Sequence, residues 1–219
     1  MILAFDTCTL TGTLAVGTAD RVTAEAHFET EKGHTGWLMP KVDSMLGDLG
    51  METDDIDAVA VGIGPGTFTG VKVGVATAKA IAMGLDVPLV GIPTLDILAA
   101  GASEEGIIMS VLDAKRGMLY VAAYRNESGL LHPLTDYACM EPDETVDAGL
   151  RFIDGPLAVV GEATEILVEA LEAEGITVVK AVARHPRARD MLPLCGRMLS
   201  EGRAGTAVSV TPMYLKKPT

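Results

Sequence analysis

Apolar and polar positions alternate in two rhythms along this chain. At the start the rhythm is short. Ile2 to Thr7, Gly12 to Gly17 and Arg21 to Phe28 are strand-forming runs parted by turns that contain Thr, Gly and Asp, which predicts an antiparallel meander. From His34 to Leu49 it lengthens: Trp37, Leu38, Val42, Met45, Leu46 and Leu49 recur near a 3.6-residue period, with Lys41, Asp43, Ser44 and Asp48 elsewhere. A helix is expected there, kinked where Pro40 removes a backbone donor. Asp57 to Ile63 is an apolar strand cut off by Gly64-Pro65-Gly66, and Thr69 to Gly84 follows as a helix rich in small residues.

The alternation continues to the end. Strands are expected at Pro88 to Gly91, Ile107 to Leu112, Met118 to Tyr124, Pro133 to Ala138, Leu157 to Val160 and Ile176 to Val179. Helices are expected at Thr94 to Ala100, Pro142 to Leu150, Thr164 to Glu174 and Ala188 to Glu201, ahead of an extended tail from Val208 to Leu215. Interleaved strands and helices in both halves give an α/β class with two lobes, each a mixed sheet with helices. The polar stretch Ala102 to Gly106 is the hinge candidate. It sets an N-terminal lobe at 1–104 and a C-terminal lobe at 105–187, with the last helix and tail, 188–219, returning to the first.

Charge narrows the function. Against 30 Asp plus Glu the chain carries 17 Lys plus Arg, a net −13, and no cationic run exceeds a dipeptide, so its field repels a polyanion at long range. A free-standing nucleic-acid binder is disfavoured. At 48% apolar the chain has the material for a packed core, which excludes disorder. Cys8, Cys139 and Cys195 are odd in number and far apart, with neither disulfide nor metal-ligand spacing. Together with the lack of a signal peptide or a membrane segment, this makes a reduced, cytoplasmic protein the expectation.

Candidate chemistry gathers in the first half. Gly64-Pro65-Gly66-Thr67-Phe68-Thr69-Gly70 follows a buried strand and opens a helix, where bare amides hold an anion in some folds and form a tight packing turn in others. Neither a dinucleotide fingerprint nor a P-loop fits, since Thr69 stands where the first needs glycine and Lys72 is out of register for the second. Gly70, Gly74, Ala78 and Ala82 form a flat column that faces either the protein's own sheet or a partner helix. Asp6-Thr7, at the end of the first strand, either faces magnesium and phosphate or caps a turn with Thr9 and Thr11. No two of His27, His34, His132 and His185 have the spacing that pairs imidazoles on one helix face, and no nucleophile elbow occurs.

These segments together resemble the TsaB family, also called YeaZ. The resemblance runs through the whole chain on Ile2-Leu3-Ala4-Phe5-Asp6-Thr7, His34-Thr35 with Leu38-Met39-Pro40, and above all Gly64 to Gly74. Further matches are Asp113-Ala114-Lys115 leading to Tyr120, Asp190-Met191-Leu192-Pro193 and Pro212-Met213-Tyr214-Leu215-Lys216. Lys72, Lys115 and Lys216 stand where the family commonly has arginine, which removes a planar fork, and Met118 stands where it commonly has glutamate.

The resemblance implies a two-lobed actin-like ATPase fold, related to sugar kinases, and a non-catalytic subunit that binds the TsaD enzyme. TsaD would then transfer a threonylcarbamoyl group to the adenosine next to the anticodon of tRNAs reading codons that begin with A. The TsaD helix that corresponds to His34 to Leu49 carries a two-histidine metal motif; here Leu38 replaces its second histidine. The resemblance places partner contacts on Trp37, Leu38, Lys41, Met45, Thr67, Phe68, Thr69, Gly70, Val71, Lys72, Gly74 and Ala78. It further implies TsaE in a larger complex, tRNA bound only through that complex, a homodimer when TsaD is absent, and no catalytic or metal residues. ATP or ADP with magnesium belongs to the complex, with Asp6 and Thr7 as the nucleotide candidates here. The alternatives are a glycopeptidase-like metallopeptidase and a stand-alone nucleotide-binding ATPase.

Overall fold

The computed structural model describes residues 1–29, 36–150, 155–162, 164–180 and 185–215. It divides into two compact units, Met1–Ile97 with Arg187–Met213, and Leu98–Pro186 with Tyr214–Thr219. The break falls inside a helix at Ile97/Leu98, upstream of the polar stretch expected to separate the lobes.

In the first unit, β1 (Ile2–Asp6), β2 (Thr11–Thr18) and β3 (Arg21–Glu29) form the expected antiparallel meander. β4 (Ala58–Gly62) and β5 (Leu89–Ile92) extend it in parallel on the other side of β1, giving the order β3-β2-β1-β4-β5. Alternation along β1 splits the core: Leu3 and Phe5 face one layer, Ile2 and Ala4 the other. The first layer holds α1 (Leu38–Asp48) and α2 (Phe68–Leu85). The second holds α6 (Ala188–Ser200), whose Met191, Leu192 and Cys195 bury against Ala4, Ala15 and Ala60. At its start the Ala188 amide donates to Thr13 Oγ1 at 2.9 Å.

Pro40 does not kink α1. The helix begins at Leu38, so Pro40 lies in the first turn, where its missing N–H has no intrahelical acceptor to lose. His34 and Thr35 lie outside the described residues.

In the second unit, β6 (Gly106–Asp113), β7 (Leu119–Glu127), β8 (Leu130–Pro133), β10 (Leu157–Gly161) and β11 (Val178–Lys180) run in the order β11-β10-β6-β7-β8, with β9 (Ala138–Met140) also on β7. α4 (Pro142–Leu150) and α5 (Thr164–Ala173) cover one face, where Val146, Leu167 and Leu171 pack with Val111, Val121 and Val159. A single strand from Pro133 to Ala138 is not formed. The Thr135 hydroxyl, rather than a backbone carbonyl, takes the Ala123 amide at 2.9 Å, and the chain leaves the ladder until Ala138 pairs with Val121. The tail from Val208, expected to be extended, opens in a turn through Ser209 and forms neither helix nor strand from there to Leu215. It bonds to the first unit at single points, such as the Met213 amide to Ile63 O at 2.7 Å. The remaining helix, α3 (Thr94–Ala100), contains the boundary between the units.

Candidate functional site

The glycine-rich segment is built by close approach. β4 must pass the β1 turn with Gly62 against Asp6, since a Cβ there would overlap the Asp6 carboxylate. A Cβ on Gly66 would overlap Cys8 O, which accepts the Thr67 amide at 2.7 Å. Gly64 has φ +101°, and a Cβ there would meet Met213 O at 2.7 Å. Nearly two turns into α2, Gly74 lies directly against the Thr7 hydroxyl. The loop is therefore a packing turn that clamps the end of β1. The helix it opens is capped by Thr67, whose Oγ1 accepts from the Gly70 amide at 3.3 Å.

Asp6 and Thr7 are enclosed by this clamp, each 0% exposed. The Thr7 hydroxyl donates to Gly70 O at 2.7 Å. Asp6 accepts from the Cys8 amide at 2.8 Å and from the Thr94 hydroxyl at 3.3 Å. Burial pushes its carboxyl up to about 6, with those hydrogen bonds opposing the rise. Burial, then the adjacent Asp6 charge, raises the Cys8 thiol well above its ordinary value. Neither Asp6 nor Thr7 turns a polar atom toward solvent, so this closed turn does not suit a magnesium nucleotide. Among the described residues no group of three or more His, Cys, Asp and Glu is placed to hold a metal ion.

The small-residue column faces the protein's own sheet. Gly70 and Gly74 are buried, and Val71, Ala78 and Ala82 belong to the core with Phe5 and Val61. Leu38 is buried too, and Met45 packs against the same core. Trp37 also turns inward. Its ring packs 4.8 Å from Phe28, centroid to centroid, and lies so close to β2 that a Cβ on Gly12 would stand 2.5 Å from it. The expectation that Leu38, Gly70, Val71, Gly74 and Ala78 offer themselves to a partner is therefore corrected, because the protein's own core already occupies that side, while Trp37 and Met45 are half-buried against it.

What α2 does expose is its opposite face. Phe68 (46% exposed), Thr69 and Lys72 from the expected set continue into Ala76, Ala80 and Met83 (70% exposed). The Lys72 ammonium lies 3.8 Å over the Phe68 ring and holds it along the helix. On α1, Lys41 is exposed with its ammonium 5.1 Å over Phe28. The sequence reading missed Ala76, Ala80 and Met83, although their spacing repeats the helical period on the second side. By length and mean hydropathy (1.2) α2 could cross a membrane, but its inner face belongs to the core of a sheet domain.

The other sequence matches have local structural roles. Asp113 accepts from the Lys115 amide and pairs with its ammonium, each at 2.7 Å. The Lys115 hydrogen bond holds the Asp113 carboxyl below the usual carboxylate range. Lys115 and Arg116 both adopt left-handed φ, 64° and 56°, to close this turn ahead of Tyr120 on β7. Asp190 accepts from Arg187 Nε at 2.9 Å in the first turn of α6, where burial raises its carboxyl against the pull of Arg187. Lys216 lies outside the described residues.

Against known proteins, residues 28–218 match the family model described as tRNA N6-adenosine threonylcarbamoyltransferase, TsaD. The chain is 32% identical over 220 residues to the tRNA threonylcarbamoyladenosine biosynthesis protein TsaB of Escherichia coli K12, covering 98% of this chain and 94% of the relative. It superposes on YeaZ from Pseudomonas aeruginosa with a TM-score of 0.81 at 24% identity, covering 98% and 99% of the two chains. The likeness in fold extends further, to the activator of 2-hydroxyisocaproyl-CoA dehydratase from Clostridium difficile, solved with bound ADPNP, at a TM-score of 0.53 and 12% identity over 97% and 99%.

Proposed function

The chain belongs to the TsaB (YeaZ) family and takes part in tRNA threonylcarbamoyladenosine biosynthesis, and on that premise we propose that it is the non-catalytic subunit that supports a TsaD transferase. TsaD, in this reading, moves the threonylcarbamoyl group to the adenosine next to the anticodon, with TsaE joining the pair and tRNA bound only by the assembly. The observation that carries the reading is the exposed face of α2. Phe68 and Met83 lie near its two ends, and Thr69, Ala76 and Ala80 between them are short enough for a partner backbone to come close. At about 1.5 Å per residue the strip is roughly 22 Å long, a length that suits helix-on-helix docking.

Two further observations support a supporting rather than a reacting role. Asp6 and Thr7 spend their polar atoms on Cys8, Thr94 and Gly70, and the net charge of −13 opposes tRNA at long range. With TsaD absent, the same apolar face closes a homodimer.

Reconstitution tests the proposal. Purified TsaD and TsaE from the same organism are given tRNA and substrates with and without this chain, and the modified nucleoside is quantified by mass spectrometry after digestion. Product is expected only when TsaD and this chain are both present. Turnover by this chain alone, or full activity of TsaD and TsaE without it, would overturn the proposal.

A further inference from the structure

Between α1 and α2 the first unit is open. A crevice of about 250 Å³ reaches down to Leu3, Val42, Leu46 and Ile56 of the core, with Ile81 and Leu85 of α2 as its wall. Its mouth is exposed at Met39, Asp43, Thr53 and Gly84. Gly84 leaves one side of the mouth bare, because a Cβ built there meets nothing within 4 Å. Below the roughly 300–1,000 Å³ of sites that enclose a small-molecule ligand, the space suits a bulky side chain pushed in from another protein.

The rim is anionic. Asp43 lines the mouth from α1, and opposite it Thr53 belongs to the short 3-10 turn Thr53–Asp55, which adds exposed Asp54 and Asp55. Asp55 is engaged by the Glu52 amide at 2.9 Å, whereas Asp43 and Asp54 have no salt-bridge partner among the described residues. No lysine or arginine is among the described residues that line the crevice. Lys41 is turned onto Phe28.

We propose that this crevice receives a bulky aliphatic or aromatic side chain from the partner protein, carried on a segment with lysine or arginine within one helical turn of it. The apolar floor supplies the seat, and the exposed carboxylates at the rim set the sign of the charge beside it. The inference rests on the docking of TsaD at the exposed face of α2 and adds the chemistry that the neighbouring crevice selects.

Binding of purified TsaD to the full chain by calorimetry, at low and high salt, tests it with three variants. Gly84→Trp fills the mouth and is expected to weaken binding at least tenfold. Asp43→Lys, at an exposed position that leaves folding intact, is expected to weaken it about fivefold and to flatten the salt dependence. Ala80→Glu charges the outer strip and should block docking altogether. If wild-type chain does not bind TsaD, the proposed function and this inference fall together. If Ala80→Glu blocks while Gly84→Trp and Asp43→Lys bind as wild type does, docking stands and the inference is overturned. A photo-crosslinking residue at Met39 reads the occupant directly. Capture of an apolar partner residue within a turn of lysine or arginine supports the inference, and capture of an acidic segment, or of nothing, overturns it.

Discussion

Replacing Asp6 with asparagine should make this protein more stable, although it removes a side chain from the family's opening motif. The carboxyl is fully buried among Cys8, Gly62 and Thr94 with no cation beside it among the described residues, and its pKa rises from 3.8 to about 6. A rise of about two units means that ionised Asp6 costs the folded state about 3 kcal/mol relative to the unfolded chain. The raised pKa also fixes the direction with pH. Below 3.8 the carboxyl is neutral in both states and the cost is absent; it grows as pH rises toward about 6 and is complete above it. Asparagine mimics the neutral form. Its carbonyl keeps the Cys8 amide, and its amide donates to Thr94 Oγ1 in place of the present bond. Urea unfolding of both proteins from pH 4 to pH 8 should show Asp6→Asn ahead by about 1–3 kcal/mol at pH 8, with the gap closing toward acid. A destabilised variant at pH 8, or a gap independent of pH, would refute the reasoning.

The two faces of α2 should respond oppositely to the same change. Gly74→Ala drives a methyl into the Thr7 hydroxyl and should cost about 1–3 kcal/mol, whereas Gly84→Ala meets open space and should add up to about 1 kcal/mol through helix propensity; both are read by urea melts. Ala78→Glu puts an unpaired charge into the core and should unfold the domain by circular dichroism, while Ala80→Glu should leave stability within about 0.5 kcal/mol and fail only in a TsaD pull-down. Iodoacetamide at pH 8 should label Cys139 first by peptide mapping. Cys8 and Cys195 are both 0% exposed, and burial pushes the Cys195 thiol up to about 12.

Much of the first unit was legible because its signals are local. The β1–β2–β3 meander is written in turn residues, and α2 was located to within a residue at each end, Phe68–Leu85 against Thr69 to Gly84. Which side of α2 faces inward was not legible. Gly70, Gly74 and Ala78 on one side and Ala76, Ala80 and Gly84 on the other are equally small, so periodicity cannot rank them. The choice is made by Thr7, just past β1, and Val61 of β4, which become neighbours of the helix only after folding. Trp37 misled for a related reason. An apolar residue at a helix start suggests an exposed anchor until Gly12 on β2 is seen to leave room for the ring. The short strands β8 and β9 were blurred into one because Thr135 replaces a backbone partner with its hydroxyl, a substitution that no pattern of apolar residues announces.

The first sheet is completed by the end of the chain. α6, residues 188–200, covers Ala4, Ala15 and Ala60, so that side of the sheet has no lid until the insertion from Leu98 to Pro186 has been made. At about 5–20 residues per second on a ribosome, the nascent first half waits on the order of ten seconds with this apolar surface bare. A messenger cut short before Arg187 would therefore yield a sticky fragment rather than a smaller working lobe, and the cell's holding chaperones are the natural guardians of that interval.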